Sequence, residues 1–468
     1  MFDFLSSDPA PARRDFSKSI EKDFSGCADF ESRALSAGGV SLTLFYLDGC
    51  VSAAQISSEI VRPLSLLRAR SEHDLLTRAL EGGVWACTVR QRFSPEETVS
   101  DIAAGYAALV FDGESTALTF EVKSGVNAPT VEKSVLGAKD AFVESVRVNT
   151  ALLRRRVGKP SLKLWETMLG SETKTRVDIL YIEGEAPPEQ VERIKARLSL
   201  PDIPAVLAAG DVEQYLVGTP RGIFPQVIHT ERPDRFVLGL ARGKIGVLCD
   251  GLPIGFLLPA SLPDMLRVQE DRARHAAVAT ALVLLRYLAL FLSLALPALY
   301  VAIAMYHQEM IPYKLLQNVI DSKQSVPFST AAETLGMLLS FELLQEAGIR
   351  LPDPVGQTVS VIGALIVGQS AVEAKVLSPI VIIVVAMAGY AQPSQELGAA
   401  IRLWRVALVL GAVVLGLYGV MAGLMLLLWR LCDTENLGVS YLSPLTDSRP
   451  GSLRRAFLRP PLRKEDRK

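Results

Sequence analysis

The feature that most constrains this chain is an apolar segment at residues 287–306, YLALFLSLALPALYVAIAMY, which no charged side chain interrupts. A helix of this length can cross the hydrocarbon core of a bilayer. Pro297 should kink this helix without ending it, because neighbouring helices can satisfy the carbonyl that proline leaves without a donor. The sequence before the segment is charged, and further apolar segments follow it almost to the end. The pattern therefore predicts a membrane protein with a large soluble N-terminal half.

Composition and motif content argue against several classes of function. The net charge of −1 over 468 residues gives no argument for nucleic-acid binding. The cysteines never form a CxxC pair and no two histidines are close in sequence, so we expect neither a disulfide framework nor a metal site. Glycine-rich nucleotide loops and the GxSxG motif are absent, so we expect no catalytic residue, no cofactor and no enzyme activity. The N-terminus has no apolar signal-peptide segment, which predicts a cytosolic soluble half.

Two patterns each occur twice in the soluble half. Residues 41–64 and 176–198 both read as a strand, an acidic residue followed by glycine, and a helix. Residues 105–120 and 243–259 both read as a hairpin around an Asp-Gly pair, a turn that needs a positive φ. The two patterns keep their order and nearly their spacing, which predicts two similar α/β subdomains.

These patterns divide the chain into six segments. They are a flexible lead-in at 1–35, α/β subdomains at 36–125 and 175–262 with a helical connector at 126–174 between them, a transmembrane domain at 263–432 and a basic cytosolic tail at 433–468. The expected fold class is an α/β soluble region of two similar subdomains followed by an all-α multipass membrane domain. The connector carries three arginines at 154–156, which could meet lipid phosphates, although we favour a solvated helix end.

One helix pattern in the membrane half is acidic: residues 330–348 carry Glu333, Glu342 and Glu346. Glu342 and Glu346 are four residues apart, so they share one helix face. The helix could lie at the interface with its acids in bulk water, or it could line water inside a bundle. In the second case several copies would form acidic rings that favour cations, and Ile349 could narrow the path as an apolar constriction.

A stripe of small residues follows within the nearly charge-free segment 355–372. Gly356, Ser360, Ala364 and Gly368 recur every four residues, so they share one helix face. Small residues in this register allow membrane helices to approach closely. The stripe could face a pore, but a tight helix–helix seam is the interpretation that we favour.

The last two predicted spans are 376–391, broken by Pro379, and 406–429, with Gly419 and Gly423 as a further close contact. Arginines precede the first span and a basic tail follows the last one, which predicts that both flanks are cytosolic. This arrangement needs an even number of crossings. Four spans satisfy it if the acidic helix does not cross the membrane.

Several long segments resemble the GerA family of spore germination proteins, in particular its A subunit and the closely similar SpoVAF protein. The segments are KDAFVESVRVNTALLRRR at 139–156, HTERPDRF at 229–236, LRYLALFLSLALPALYVAI at 285–303, HQEMIP at 307–312, FELLQEAGIRLPDPVGQ at 341–357, GALIVGQSAVEAKVLSP at 363–379 and GVSYLSPL at 438–445. The chain departs from the family pattern at PSQELG (393–398), at Gln308 and at Ser440. The first departure bears on how the segment before the last span packs.

The resemblance implies a multipass protein of the spore inner membrane. It implies that the chain works with a transporter-like B subunit and a lipoprotein C subunit, and that it responds to amino acids, sugars or nucleosides by starting ion release. It also implies that the A subunit forms a homo-oligomeric ion channel.

Three functions compete at this point. The first is an ion-conducting or gating subunit of a germination receptor, and the second is a non-conducting scaffold for a transporter-like partner. The third, a secondary transporter, ranks lower because the membrane half lacks the inverted repeat that many transporters have. An enzyme ranks last.

Overall fold

The computed structural model divides into two compact units. The residues that it describes are 15–37, 39–86, 88–122, 138–199, 204–217, 222–324, 326–350, 368–391, 393–394, 396–447 and 456–458, without the side chains of 348–350. The first unit, called the sheet unit below, comprises Met1–Pro220 and Val227–Pro259. The second, called the helical unit, comprises Arg221–Gln226 and Ala260–Lys468.

The sheet unit contains two antiparallel sheets with the same topology. The strands of the first are β1 Phe30–Ala37, β2 Val40–Leu47, β3 Val89–Arg92, β4 Tyr106–Phe111 and β5 Thr116–Glu121. Those of the second are β6 Leu162–Leu169, β7 Thr175–Ile182, β8 Ile228–Thr230, β9 Ile245–Cys249 and β10 Gly255–Leu258. The order is β1-β2-β4-β5-β3 in one sheet and β6-β7-β9-β10-β8 in the other. Corresponding strands occupy corresponding places, which confirms the predicted pair of similar subdomains.

Helices cover both faces of the first sheet. The helices of the sheet unit are α1 Asp15–Asp23, α2 Ala53–Gln55 and α3 Arg62–Leu66 joined through the π-helical segment Ile56–Val61, α4 Glu72–Arg78, α5 Pro95–Ala103, α6 Val146–Val157, α7 Pro188–Leu198, α8 Ala209–Val217 and α9 Pro233–Ala241. Successive residues of β2 point to opposite faces. Leu44 packs with Ile60 of the π-helical segment, whereas Phe45 packs in the cluster that contains Phe16 of α1 and Ile102 of α5. The core therefore has one layer on each side of the sheet.

The glycine turns mostly follow the expected geometry. Gly49 and Gly184 follow β2 and β7 with φ of 82° and 88°, and Gly251 has φ 81° between β9 and β10. In the turn between β4 and β5 the left-handed residue is instead Ser115, with φ 48°. Strand β6 lies inside 126–174, the range expected as a helical connector, because its eight residues pair along their whole length with β7. The sequence pattern indicates only β7, the second strand of this pair.

The helical unit is built mainly from helices, whose lengths differ widely. They are α10 Leu262–Met265, α11 Ala276–Tyr306, α12 Tyr313–Lys323, α13 Thr330–Arg350, α14 Pro379–Tyr390, α15 Gly398–Leu415 and α16 Leu417–Asp433, with short 3₁₀ turns at Gln269–Ala273 and Gln308–Met310. Pro297 lies inside α11, as expected. Pro379 begins α14 rather than breaking a span, because the first helical position needs no backbone donor. Among the described residues, α11 and α15 are long and apolar enough to cross a membrane.

The segment 406–429, predicted as one span, is instead part of a helical hairpin. α15 ends at Leu415 and α16 starts at Leu417, with Gly416 between them at φ 59° and ψ −135°. This conformation strains any residue with a Cβ, so glycine allows the chain to reverse here. Gly419 faces Gly411 so closely that a Cβ added at Gly419 would lie 1.9 Å from the Gly411 carbonyl oxygen. The predicted close contact of Gly419 exists, but within one hairpin.

The C-terminal segment is partly folded rather than a plain tail. Two short strands, β11 Glu435–Asn436 and β12 Val439–Ser440, pair with each other. The next residue, Tyr441, is 1% exposed, and its carbonyl accepts a hydrogen bond from Leu262 N at 2.8 Å. Its ring lies 5.9 Å from the ring of Phe224. The segment GVSYLSPL therefore contributes to the core of the helical unit.

Candidate functional site

Several charged side chains of the helical unit lie close to one another, beginning with those of α13 and α15. Glu342 of α13 lies 3.4 Å from Arg402 and 4.0 Å from Arg405, both on α15. Glu342 is therefore paired with arginines rather than being an unpaired acid on a helix face. Glu346, one turn further along α13, is exposed and also has an interaction partner.

Most of the other residues that the sequence suggests for the pore or for helix packing lie outside the described part of the chain. The side chain of Ile349 lies outside the described residues, as do Gly356, Ser360 and Ala364. Gly368 is described, and a Cβ added there would meet nothing within 4 Å among the described atoms. The small-residue seam and the pore constriction therefore stay predictions.

Arg405 is the most deeply buried charge of this network, with 2% of its side chain exposed. Its Nε donates to the carbonyl oxygen of Ser293 at 2.8 Å. Its Nη2 donates to Ser293 Oγ at 2.6 Å and to the carbonyl oxygen of Ala388 at 3.0 Å. The Ser293 hydroxyl in turn donates to the same Ala388 oxygen at 2.8 Å. One guanidinium thus connects α11, α14 and α15.

Both carbonyl groups that Arg405 contacts lack a helical donor, and the sequence explains why. Ser293 stands four residues before Pro297, which has no N–H to bond its carbonyl. Ala388 belongs to the last turn of α14, where the carbonyls have no intrahelical partner. Arg405 therefore donates hydrogen bonds to two buried carbonyls, one left without a donor by Pro297 and the other by the end of α14.

The opposite end of α14 is held by an acid. Glu333 of α13 has no exposed side-chain surface, and its Oε2 accepts a hydrogen bond at 2.9 Å from the backbone N–H of Ser378, the residue before α14. Its Oε1 lies 3.3 Å from Lys323 Nζ. A carboxylate is favourable at a helix N-terminus and a cation at a C-terminus, because the helix dipole points that way. Neighbouring helices thus supply a matching charge at each end of α14.

A cavity of about 280 Å³ opens beside Lys323. It lies between the end of α11, the turn that follows and α12, and its lining residues are Ala304, Gln308, Ile311, Leu316, Val319, Ile320, Lys323 and Gln324. The lining is apolar except for the two glutamines and the lysine. No group of three or more His, Cys, Asp or Glu residues that could hold a metal ion is found in the part of the chain described.

The arginines at the end of α6 in the sheet unit are not all solvated, although the sequence favours a solvated helix end. Arg154 is 1% exposed and forms a bidentate pair with Asp29, with Nε–Oδ2 and Nη2–Oδ1 distances of 2.9 and 2.7 Å. Its Nη1 donates to the carbonyl of Leu162 at 2.6 Å. Arg156, by contrast, is exposed and pairs with Asp140. The prediction of a solvated end was wrong for Arg154, which joins the two subdomains instead.

Arg147, a second arginine of α6, lies close to acidic side chains of both subdomains. Arg147 lies 3.2 Å from Asp48, 2.5 Å from Glu166 and 3.9 Å from Asp178. Asp178 is fully buried and also accepts a hydrogen bond from Thr150 Oγ1 at 3.1 Å. Burial raises the pKa of the Asp178 carboxyl to about 6, an effect that Arg147 opposes and Glu166 adds to.

Sequence reasoning missed Arg402 and Arg405, although a signal was present. The two residues are three apart, so they share one face of α15, and the segment around them is otherwise apolar. An ionisable residue in such a segment is a functional candidate by default. Starting the predicted span at residue 406 left both arginines outside it.

Comparisons with known proteins find relatives along most of this chain. The family model of the Bacillus/Clostridium GerA spore germination protein matches residues 18–468. The uncharacterized membrane protein YfkQ of Bacillus subtilis (strain 168) is 34% identical over 444 residues, which cover 93% of this chain and 86% of the relative. Spore germination protein KA of the same organism is 32% identical over 429 residues, covering 90% of this chain and 79% of the relative.

A third relative and one solved structure are also similar to this chain. Spore germination protein GerQA of Bacillus cereus is 35% identical over 375 residues, covering 78% of this chain and 75% of the relative. The crystal structure of the N-terminal domain of the A subunit of the Bacillus megaterium spore germinant receptor GerK3 aligns with a TM-score of 0.41 at 27% identity, covering 52% of this chain and 93% of that one. Because the family model matches nearly the whole chain, this chain belongs to the GerA family of spore germination proteins.

Proposed function

We propose that this chain is the A subunit of a germinant receptor in the spore inner membrane, where it couples germinant detection to ion release as an oligomeric ion channel. Membership of the GerA family supports the process. The observation that carries the proposal is the set of charged side chains, Glu333, Glu342, Arg402 and Arg405, inside a unit built from apolar helices. Ionisable residues inside membrane segments are typical of ion pathways.

The length of α14 supports a location of these charges within the bilayer. α14 has 12 residues, and a helix of that size measures about 18 Å, less than the roughly 30 Å of a hydrocarbon core. At least one end of α14 would then lie at membrane depth, where unpaired peptide groups need partners inside the protein. Glu333 and Arg405 are such partners.

The topology and the assembly belong to the same proposal. Both termini face the cytosol, since arginines precede α11 and a strongly basic segment ends the chain. This topology is argued from the flanking charges and still needs an even number of crossings, to which 406–429 contributes two helices instead of one span. The partners are a transporter-like B subunit, a lipoprotein C subunit and further copies of this chain. Gly356, Ser360, Ala364 and Gly368 would form the contact between helices or copies.

The experiment that tests conduction uses the purified chain in liposomes, with and without its receptor partners, and measures cation flux. Glu342→Gln combined with Glu346→Gln should reduce flux or cation selectivity at unchanged protein level, because the acids that attract cations are lost. Glu309→Gln is the matched control: this acid also lies in the helical unit, but its side chain is 74% exposed and far along the chain from the network. Unaltered flux and selectivity in a well-folded double variant would contradict a role of this acidic face in conduction.

The second candidate is a non-conducting scaffold for a transporter-like partner. The pairing of Glu342 with two arginines favours it, because a carboxylate held in ion pairs is less available to a passing cation. Absence of flux with and without partners, together with stable co-purification of the partner, would support the scaffold.

A further inference from the structure

Three oxygen atoms converge on the guanidinium of Arg405, and their chemistry is that of a cation site. They are the carbonyl oxygen and the Oγ of Ser293 and the carbonyl oxygen of Ala388, at 2.8, 2.6 and 3.0 Å from the guanidinium nitrogens. All three are uncharged, and Ser293 has no exposed surface. Carbonyls at helix breaks and at helix C-termini are the groups that coordinate monovalent cations in broken-helix membrane proteins.

The site would retain its acceptors if the arginine left. Pro297 prevents Ser293 O from bonding within α11, and Ala388 O lies at the negative end of the α14 dipole. The hydrogen bond from Ser293 Oγ to Ala388 O holds the two residues together independently of Arg405. The three oxygens are thus positioned by α11 and α14, whereas the cation that fills them comes from α15.

Arg405 also has a second partner within reach. Its Nη1, which does not contact the three oxygens, lies 4.0 Å from Glu342 Oε1 on α13. A small rotation of the guanidinium toward this carboxylate would exchange neutral acceptors for a charged one. Glu342 also lies 3.4 Å from Arg402. Breaking the pair with Arg402 would leave the Glu342 carboxylate available to Arg405.

We propose that the oxygens of Ser293 and Ala388 form a monovalent-cation site, and that the Arg405 guanidinium occupies it as a built-in substitute for the ion. Movement of the guanidinium toward Glu342 vacates the oxygens. A monovalent ion restores the single positive charge that leaves, whereas a divalent ion would add an uncompensated charge in a buried place. This inference rests on the proposed function, because it puts an ion-binding step inside the proposed pathway.

The test measures cation binding without any flux assay, on the full chain in detergent. Arg405→Gln removes the built-in cation, and thermal unfolding is followed in KCl, NaCl and N-methyl-D-glucamine chloride at equal ionic strength. A small cation that binds only the folded state raises the midpoint by RT ln(1 + [L]/Kd) divided by the entropy of unfolding. This amounts to a rise of roughly 1–3 °C at ten times Kd, the lower value if the whole chain unfolds together and the higher if the helical unit unfolds by itself. The unsubstituted chain should show no such difference, because Arg405 fills the site.

Two variants make the result specific. Arg402→Gln removes a neighbouring arginine of α15 that contacts none of the three oxygens, and it should remain insensitive to the cation. Ser293→Ala added to Arg405→Gln removes one oxygen and should abolish most of the rise. Equal midpoints of Arg405→Gln in all three salts, or the same rise in Arg402→Gln, would overturn the proposal.

If Arg405→Gln does not fold in any salt, the double variant Arg405→Gln, Glu342→Gln takes its place. The second substitution removes the carboxylate left near the vacated site. The same salt comparison then decides: a rise in KCl or NaCl supports the site, and equal midpoints overturn it. A protein that binds the cation but carries no flux in liposomes would contradict the proposed channel alone. Flux without cation-dependent stability would contradict the site alone.

Discussion

The stability of the sheet unit should be particularly sensitive to substitution of Arg154 or Asp29, which form a buried ion pair. Removing one partner of a buried ion pair leaves the other charge without compensation, which costs about 3–5 kcal/mol. Arg154→Ala should therefore lower the free energy of unfolding by that amount, measured by denaturant unfolding of the purified chain. It also leaves the Leu162 carbonyl without its donor.

The same helix provides the control for this prediction. Arg156 pairs with Asp140 at the exposed side of α6, and exposed pairs contribute about 0–1 kcal/mol. Arg156→Ala should therefore change stability by less than about 1 kcal/mol. Similar losses in the two variants would show that burial of Arg154 does not determine its contribution.

Asp178 should make the sheet unit more stable in acid than at neutral pH. Its pKa is raised from 3.8 to about 6 by burial, so the folded state binds the proton more tightly than the unfolded state does. The stabilisation is fully present below about pH 4 and is lost as the pH rises through 6. Asp178→Asn should remove this dependence, so the difference in unfolding free energy between pH 4 and pH 7 should change by roughly 1–3 kcal/mol.

Comparing the unsubstituted chain with Asp178→Asn isolates the contribution of the Asp178 carboxyl to the pH dependence of stability. Acids that do not interact with Asp178, including Glu213, whose pKa burial also raises, titrate in both proteins and cancel in the difference. Identical pH profiles for the unsubstituted chain and Asp178→Asn would mean that the pKa of Asp178 is the same in the folded and unfolded states.

At the scale of elements, the hairpin of α15 and α16 depends on its glycine contact. A Cβ at Gly419 would lie 1.9 Å from the backbone oxygen of Gly411, which cannot move without separating the helices. Gly419→Ala should therefore lower the thermal midpoint of the purified chain by several degrees. Gly423→Ala is the matched control, because its Cβ would meet only side-chain atoms of Leu408, the nearest at 2.6 Å, and no backbone atom. Equal midpoints for the two variants would argue against backbone contact in the hairpin.

At the scale of the whole molecule, Cys432 can report the topology of the C-terminus. It is exposed at the end of α16, whereas Cys27, Cys50 and Cys249 are buried. Burial also raises the pKa values of Cys50 and Cys249 to about 12, so both thiols stay unreactive. In a Cys87→Ser background, a membrane-impermeant maleimide should label Cys432 only after the cells are permeabilised. Labelling of intact cells would place this end outside and contradict the cytosolic flank.

Features that depend on neighbouring residues in the chain were predictable from the sequence. The doubled strand–turn–helix pattern predicted two similar subdomains because strand periodicity and glycine turns act over a few residues. The apolar length of 287–306 predicts α11 for the same reason, and Pro297 lies inside this helix as expected. The hairpin at Gly416 was missed, since an apolar run reads alike whether it continues as one helix or reverses at a glycine.

The roles of the charged residues were decided only by the tertiary structure. Arg154 meets Asp29 across 125 positions, and Arg405 meets Ser293 across 112. A guanidinium is stable in a protein interior only where acceptors surround it, and these acceptors come from distant segments that folding brings together. Ser293 and Ala388 become acceptors because a proline and a helix end free their carbonyls, while the arginine that reaches both lies on a third helix. A local pattern indicates that a charged residue lies in an apolar segment. Only the packing of distant segments determines which oxygen atoms accept its hydrogen bonds.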